Sequence, residues 1–277
     1  VTGVQTCALP IFRFDQERGS SLTPYLRHPH HFKISNSFLI FFGKYLSVYS
    51  LLTSLKNGFE TLLFPPICIA CRREGFYTCN DCEGKWAGVP TTITDEPIPL
   101  RSVVRYGNNS SHVVLAAKEE GNKAARKLLS LAIASAASWN LKSDIAHITL
   151  VPMPSSKKNI RRRGERFLLP ILERVIVDME RSKKLPKFQI RELLIQNPRI
   201  REQSGLSLRE RQANMSQALR IDEKALRHWK ETPLILVDDV ITTASTMMSA
   251  YSVLNERNLT ILAGISACAT NARMPIR

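Results

Sequence analysis

The chain has 277 residues, which is long enough to bury a full core and to form one or two domains. Its formal net charge of +15 and isoelectric point near 9.8 make it attractive to polyanions, whether nucleic acids or phosphorylated small molecules. A soluble protein with a generally basic surface would have the same excess of positive charge. Charge alone therefore does not show whether the protein binds nucleic acid. The absence of a charged–apolar–cleavage pattern argues against secretion, so we expect a cytoplasmic protein.

We expect residues 1–61 to be an artefactual or disordered extension. Residues 1–11 resemble the translation of a sequencing adapter, and residues 12–35 show no sustained periodicity. Residues 37–52 are apolar, but Lys44 interrupts them and a membrane span needs about 20 mostly apolar residues. The sequence therefore predicts no membrane span.

Residues 62–90, here called the cysteine module, contain two closely spaced cysteine pairs. The pairs are Cys68 with Cys71 and Cys79 with Cys82, and seven residues separate one pair from the other. Four thiolates in this spacing suit a tetrahedral Zn²⁺ in a closed structural site, which has no open catalytic position. Disulfide pairing is the alternative, but it would need an oxidising compartment that nothing else in the sequence indicates.

Residues 98–270 are expected to form an α/β domain with a mainly parallel sheet flanked by helices. The Thr- and Pro-rich residues 90–99 are typical of a linker before it. Cys268 lies alone in an apolar C-terminal strand, where a small core residue is expected. No internal repeat is evident.

A strand predicted over residues 148–151 is stopped by Pro152 and Pro154, so Ser155 and Ser156 fall on the loop at its carboxyl end. Six basic residues follow, and they suit a pyrophosphate or a nucleic-acid backbone equally well: Lys157, Lys158, Arg161, Arg162, Arg163 and Arg166. An ordinary solvated basic turn is the alternative.

Residues 234–237 are apolar and predict a strand buried on both faces of a parallel sheet. The strand leads to Asp238 and Asp239, and a helix is predicted over residues 244–254. Ligands of open α/β sheets bind at such junctions, beyond the carboxyl ends of the strands. The two carboxylates suit the 2′- and 3′-hydroxyls of a ribose, although they could also end a strand without any ligand.

The turn between this strand and its helix is rich in hydroxyl groups. Backbone N–H groups of the turn and of the helix N-terminus can surround a phosphate. Further donors come from four side chains: Thr242, Thr243, Ser245 and Thr246. The sequence therefore predicts a sugar-phosphate site at this turn.

Residues 234–246 resemble the phosphoribosyl-pyrophosphate signature of type I phosphoribosyltransferases, in which a hydrophobic strand, two acidic residues, two apolar residues and Thr-Thr-Gly-x-Thr follow one another. The resemblance implies that Asp238 and Asp239 hold the ribose together with Mg²⁺. It assigns Thr242, Thr243, Ala244, Ser245 and Thr246 to the 5′-phosphate, and Ser155, Ser156 and Lys157 to the pyrophosphate. Ala244 replaces the usual glycine, at a position that often needs positive φ.

Residues 62–270 as a whole resemble the ComF family of competence-associated proteins. Four landmarks carry this resemblance besides the cysteines and the acidic pair. The first two are residues 62–66 before the cysteines, and residues 103–106 followed by Lys118 and a helix over 123–137. The other two are residues 151–154 followed by Arg163 and Gly164, and residues 205–214. Where the family continues with Phe-Asn-Gln, this chain has Glu165, Arg166 and Phe167. Residues 197–214 resemble the mobile loop that closes over the active site in this fold, and a charged surface helix is the alternative.

The resemblance implies a role in natural transformation, with single-stranded DNA and competence proteins as partners. Two other functions stay open: an active phosphoribosyltransferase with an unidentified nucleobase or amine acceptor, and a non-catalytic adaptor that binds single-stranded DNA. No residue is identified as catalytic. Aromatic residues that would favour base stacking are sparse near the basic runs, where Phe167 and Phe188 are the candidates.

Overall fold

The computed structural model describes residues 65–139, 141, 144–181, 185–197 and 218–270. The predictions for residues 1–61, and for all of the 197–214 segment except Asn197, lie outside the described residues. Within the described ranges, we find no helix with the length and apolar character that a membrane crossing requires.

A six-stranded sheet forms the centre of the structure, in the order β1-β2-β8-β7-β3-β4. The strands are β1 (Thr91–Thr94), β2 (Leu100–Arg105), β3 (His147–Pro152), β4 (Lys187–Ile190), β5 (Leu194–Gln196), β6 (Leu219–Ile221), β7 (Leu234–Ile241) and β8 (Ile261–Ala269). Neighbouring strands are parallel except for β1 and β2. Strands β5 and β6 form a separate antiparallel pair. The predicted α/β class with a mainly parallel sheet is confirmed.

Seven helices connect these strands in the described ranges: α1 (Asn80–Trp86), α2 (Asn108–Glu119), α3 (Lys123–Ser138), α4 (Lys157–Arg163), α5 (Leu168–Glu180), α6 (Glu223–Arg227) and α7 (Ser245–Asn255). Helices α3 and α5 pack against each other, while α3 and α7 pack against the sheet. Helix α3 is amphipathic, because its buried residues recur three or four positions apart, as in Ala125, Leu128, Leu129 and Ala132.

Strand β7 lies near the middle of the sheet, between β8 and β3. The side chains of Leu234, Ile235, Leu236 and Val237 are all fully or almost fully buried, so the predicted strand with two buried faces is confirmed. Cys268 on β8 is also fully buried, as expected for a small core residue.

Two local predictions differ from the structure. Residues 90–99 are more than a linker, because they contain β1, whose β-branched residues pair with β2 and extend the sheet. Strand β3 also continues through Pro152, since a proline is tolerated where the ladder needs no N–H.

The cysteine module is anchored to the α/β domain by its helix. Trp86 at the end of α1 is 4% exposed and belongs to the main core. Glu83 on the same helix forms an ion pair with Lys127 on α3 at 2.5 Å, and Ser135 Oγ donates to the Gly88 carbonyl oxygen at 2.7 Å.

Candidate functional site

Strands β3 and β7 lie side by side, but the chain leaves them in opposite directions. It passes from β3 to β4 on one side and from β7 to β8 on the other. Such a reversal opens a crevice at the carboxyl ends of the two strands. The loop at residues 155–157 and the turn at residues 242–246 therefore follow two neighbouring strands at the same edge of the sheet.

The turn after β7 has the backbone conformation of a glycine turn. Ala244 has φ 60° and ψ −8°, in the left-handed region, and it caps α7. Thr243 Oγ1 and Ser245 Oγ lie 2.8 Å apart, and the Thr242 carbonyl oxygen accepts a hydrogen bond from Thr270 Oγ1 at 2.9 Å. The structure thus keeps the turn in spite of the alanine, at a strain cost of about 1 kcal/mol.

The acidic pair at the end of β7 is largely withdrawn from solvent, with Asp239 only 6% exposed. Asp239 Oδ2 lies 2.5 Å from Lys118 Nζ on α2, which makes an ion pair. The contact lacks hydrogen-bond geometry, so this oxygen has no hydrogen-bond donor among the described residues. Lys118 Nζ also lies 5.5 Å from the centroid of the Phe167 ring.

The carboxyl group of Asp238 is less ready to ionise than one in water. Burial raises its pKa well above the usual range, and the negative charge of Asp239 raises it further. The backbone N–H of Asp239 donates to Asp238 Oδ1 at 2.9 Å, which opposes the rise only in part. Burial and the neighbouring charge therefore both disfavour ionisation of Asp238.

The loop after β3 leads directly into α4. Ser156 caps that helix, with its Oγ accepting from the Asn159 N–H at 3.2 Å. Ser155 and Lys157 line a cavity of about 470 Å³. Arg166 and several residues of β5 and β6 complete its lining. This volume falls in the range of small-molecule sites.

The six basic residues of the sequence run divide into two groups. Lys157, Lys158 and Arg161 are exposed and have no ion-pair partner in the described part of the chain. The other three are committed to carboxylates: Arg162 and Arg163 to Glu119, and Arg166 to Glu192. The free positive charge of this run is therefore concentrated at the start of α4.

The four cysteines of the cysteine module come together as predicted. Their sulfur atoms all lie within 4.8 Å of one another, and Cys71 Sγ is 3.5 Å from Cys79 Sγ. None of the four forms a disulfide in the structure. Tetrahedral Zn²⁺ with bonds of about 2.3 Å would need sulfur separations of about 3.8 Å, which this cluster fits.

Two of these thiols differ sharply in acidity. Burial raises the pKa of Cys68, but backbone N–H groups, including that of Cys79 at 3.4 Å, outweigh it and lower the pKa to about 6. Burial raises the pKa of Cys82, and hydrogen bonds with the other cysteines add to the rise. The lowered pKa of Cys68 favours the thiolate form that metal coordination requires.

The two aromatic candidates near the basic runs, Phe167 and Phe188, are only 2% and 8% exposed. Both rings pack in the core, so neither is available to stack on a base. In the cysteine module, by contrast, Phe76 and Tyr77 are exposed, at 48% and 73%, and no sequence pattern singles them out.

The sequence matches no protein-family model and no curated protein. Among solved structures, it is similar to the adenine phosphoribosyl transferase from Trypanosoma brucei, which was crystallised in complex with AMP, pyrophosphate and ribose-5-phosphate. The two chains are 14% identical, the match covers 71% of this chain and 85% of that one, and the TM-score is 0.31. A likeness this weak adds nothing to what the strand order and the side chains indicate.

Proposed function

We propose that the chain binds phosphoribosyl pyrophosphate with Mg²⁺ in the crevice between β3 and β7. The strand order carries this proposal, because it sets an acidic pair, a hydroxyl-rich turn and a serine loop along one edge. In the proposed complex, Asp238 and Asp239 hold the ribose hydroxyls, residues 242–246 hold the 5′-phosphate, and residues 155–157 hold the pyrophosphate.

The side chains at this edge fit Mg²⁺, which prefers carboxylate and phosphate oxygens. Asp239 Oδ2 is buried and lacks a hydrogen-bond donor in the described structure, so it has a lone pair to offer. When bound, the ion would neutralise charge on the pyrophosphate. Lys157 and Arg161, exposed and unpaired within the described ranges, supply further positive charge beside the serine loop.

In the cysteine module we propose a structural Zn²⁺ held by Cys68, Cys71, Cys79 and Cys82. The four sulfurs exhaust a tetrahedral coordination shell, so the ion would stabilise the module without taking part in chemistry. Its helix α1 would then hold Trp86 in the core of the α/β domain.

At the level of biology, we propose a ComF-like protein of natural competence and DNA uptake. The proposal is supported by the order of the two parts, a four-cysteine module followed by a phosphoribosyl-binding domain, which is the order in the family that residues 62–270 resemble. If the protein is an enzyme, it would transfer the phosphoribosyl group to a nucleobase or an amine. That reaction requires a binding site for the acceptor beside the ribose.

Calorimetry with phosphoribosyl pyrophosphate and Mg²⁺ tests the ligand proposal. We expect binding by the wild type and its loss in the Asp238→Asn, Asp239→Asn double variant, because neutral amides bind Mg²⁺ and ribose hydroxyls less well than carboxylates. Asp178→Asn on α5 removes a carboxylate that lies in a surface ion pair, and it should leave binding unchanged. No binding by the wild type, or equal binding by the double variant, would refute the proposal.

A single-stranded-DNA adaptor is the second candidate, and the exposed Phe76 and Tyr77 favour it, since aromatic rings stack on bases. The module is not basic, however, because its three basic side chains are matched by three acidic ones: Arg72, Arg73 and Lys85 against Glu74, Asp81 and Glu83. If Tyr77 stacks on bases, DNA titrations at several salt concentrations should show weaker binding in Tyr77→Ala. Leu115→Ala, which truncates an exposed side chain on α2, is the control and should bind DNA like the wild type.

A further inference from the structure

The acidic pair at the end of β7 already has a cation of its own. Lys118 lies in the last turn of α2, and its Nζ is 2.5 Å from Asp239 Oδ2. The Lys118 side chain is 26% exposed and that of Asp239 is 8% exposed, so water screens the pair only in part.

The Phe167 ring fixes the position of this ammonium. Lys118 Nζ lies 5.5 Å from the ring centroid, and Arg163 Cζ lies 5.7 Å from the same centroid. The face of an aromatic ring attracts cations, so the ring and the carboxylate both attract the ammonium. Glu119, the next residue of α2, is bound by Arg162 and Arg163 and so offers Lys118 no competing partner.

We propose that Lys118 is an internal counterion that keeps divalent cations off the acidic pair until an anionic ligand brings one in. This inference rests on the proposed function, because it assigns the same carboxylates to Mg²⁺. A divalent ion on Asp239 Oδ2 would lie next to the ammonium, and the two positive charges would repel strongly in a site that water screens poorly. The negative charges of a phosphoribosyl ligand offset that repulsion, so metal and ligand bind together.

The test is calorimetry with Mn²⁺ alone, in the absence of any phosphorylated ligand. We expect the wild type to bind Mn²⁺ weakly or not at all and Lys118→Met to bind it at least tenfold more tightly. Lys118→Arg keeps the cation and should behave like the wild type. Lys118→Met combined with Asp239→Asn removes both charges and should show no gain.

Lys127→Met is the matched control, because Lys127 also forms a 2.5 Å ion pair, with Glu83, and is similarly half-buried. It should leave Mn²⁺ affinity unchanged. A merely structural role for Lys118 predicts the opposite of our result, namely lower stability and no gain in metal affinity, and that outcome would overturn the inference.

Loss of Lys118 leaves a buried carboxylate unpaired, so folding is measured in parallel. Mn²⁺ should raise the melting temperature of Lys118→Met and leave that of the wild type unchanged. If Lys118→Met does not fold, Lys118→Gln provides the same test, because its side chain is polar but carries no charge. Failure of the wild type to bind phosphoribosyl pyrophosphate would defeat the proposed function separately, without deciding the Mn²⁺ comparison.

Discussion

Ala244 occupies a backbone conformation that glycine adopts at no steric cost. Replacing it with glycine should raise the free energy of unfolding by about 0.5–1 kcal/mol, since relief of the left-handed strain exceeds the added flexibility of the unfolded chain. Denaturant unfolding measures the change. Ala250→Gly makes the same substitution inside α7 and should destabilise the protein, so equal effects at the two positions would contradict the strain argument.

If the turn binds a 5′-phosphate, Ala244→Gly should also tighten phosphoribosyl pyrophosphate, because the backbone can then approach the phosphate more closely. A wild type without affinity that gains it in this variant would mark a degenerate site and favour the adaptor function. The unfolding free energy reports the backbone strain at Ala244, and the binding affinity reports contact with the phosphate. The two measurements therefore distinguish one effect from the other.

Asp238 makes the stability of the protein depend on pH. Its folded pKa lies above the unfolded value of about 3.9, so the folded state binds the proton more tightly. This contribution is therefore complete at low pH and declines as pH rises from about 4 through the folded pKa. Asp238→Asn removes the decline, so its stability advantage over the wild type should grow across that window.

Unfolding free energies of wild type and Asp238→Asn, measured from pH 4 to pH 8, check this sign. Carboxylates remote from Asp238 titrate in both proteins and cancel in the difference. A difference that stays constant with pH, or that shrinks as pH rises, would show that the side chain is hydrated and that its pKa is not raised.

The helix α7 reaches the sheet at a glycine. A Cβ on Gly264 would lie 2.5 Å from Leu100 Cδ2 and 3.3 Å from Met247 Sδ, and Leu100 is fully buried and cannot easily move away. Gly264→Ala should therefore cost about 1–3 kcal/mol of stability through overpacking. Gly84→Ala on α1 meets no atom within 4 Å and should be neutral or stabilising.

The cysteine module should depend on its metal. Elemental analysis is expected to find one zinc per chain in the wild type, none in Cys71→Ser, and one in Cys268→Ala, which removes a cysteine outside the cluster. Without zinc the module should unfold locally while the α/β domain stays folded. Native disulfides among the four cysteines would refute the site.

Features that depend on neighbouring residues could be predicted from the sequence, whereas contacts between segments far apart in the sequence could not. The strand over residues 234–237, its turn and the cysteine pairs are each encoded within about 15 residues. The ion pair between Lys118 and Asp239 depends on where α2 lies relative to β7, which no local pattern reveals. The burial of Phe167 is hidden for the same reason, because the residues before it in the sequence are charged.

At the scale of the whole molecule, positive charge is distributed unevenly. The cysteine module carries equal numbers of basic and acidic residues, whereas the start of α4 carries exposed lysines without ion-pair partners in the described ranges. The net charge of +15 could not show this, since it sums over the chain. These exposed lysines therefore add positive potential at the sheet edge that holds the serine loop.

The position of β8 governs when this protein can fold during its synthesis. Strand β8 lies between β2 and β7, and its residue Gly264 pairs with Leu100, 164 positions earlier. A nascent chain that stops at residue 260 has both neighbouring strands but nothing to join them, so it should be digested by protease throughout. A chain extended well beyond residue 270, so that β8 clears the ribosome, should become resistant. The six-stranded sheet therefore cannot be completed until β8 has left the ribosome.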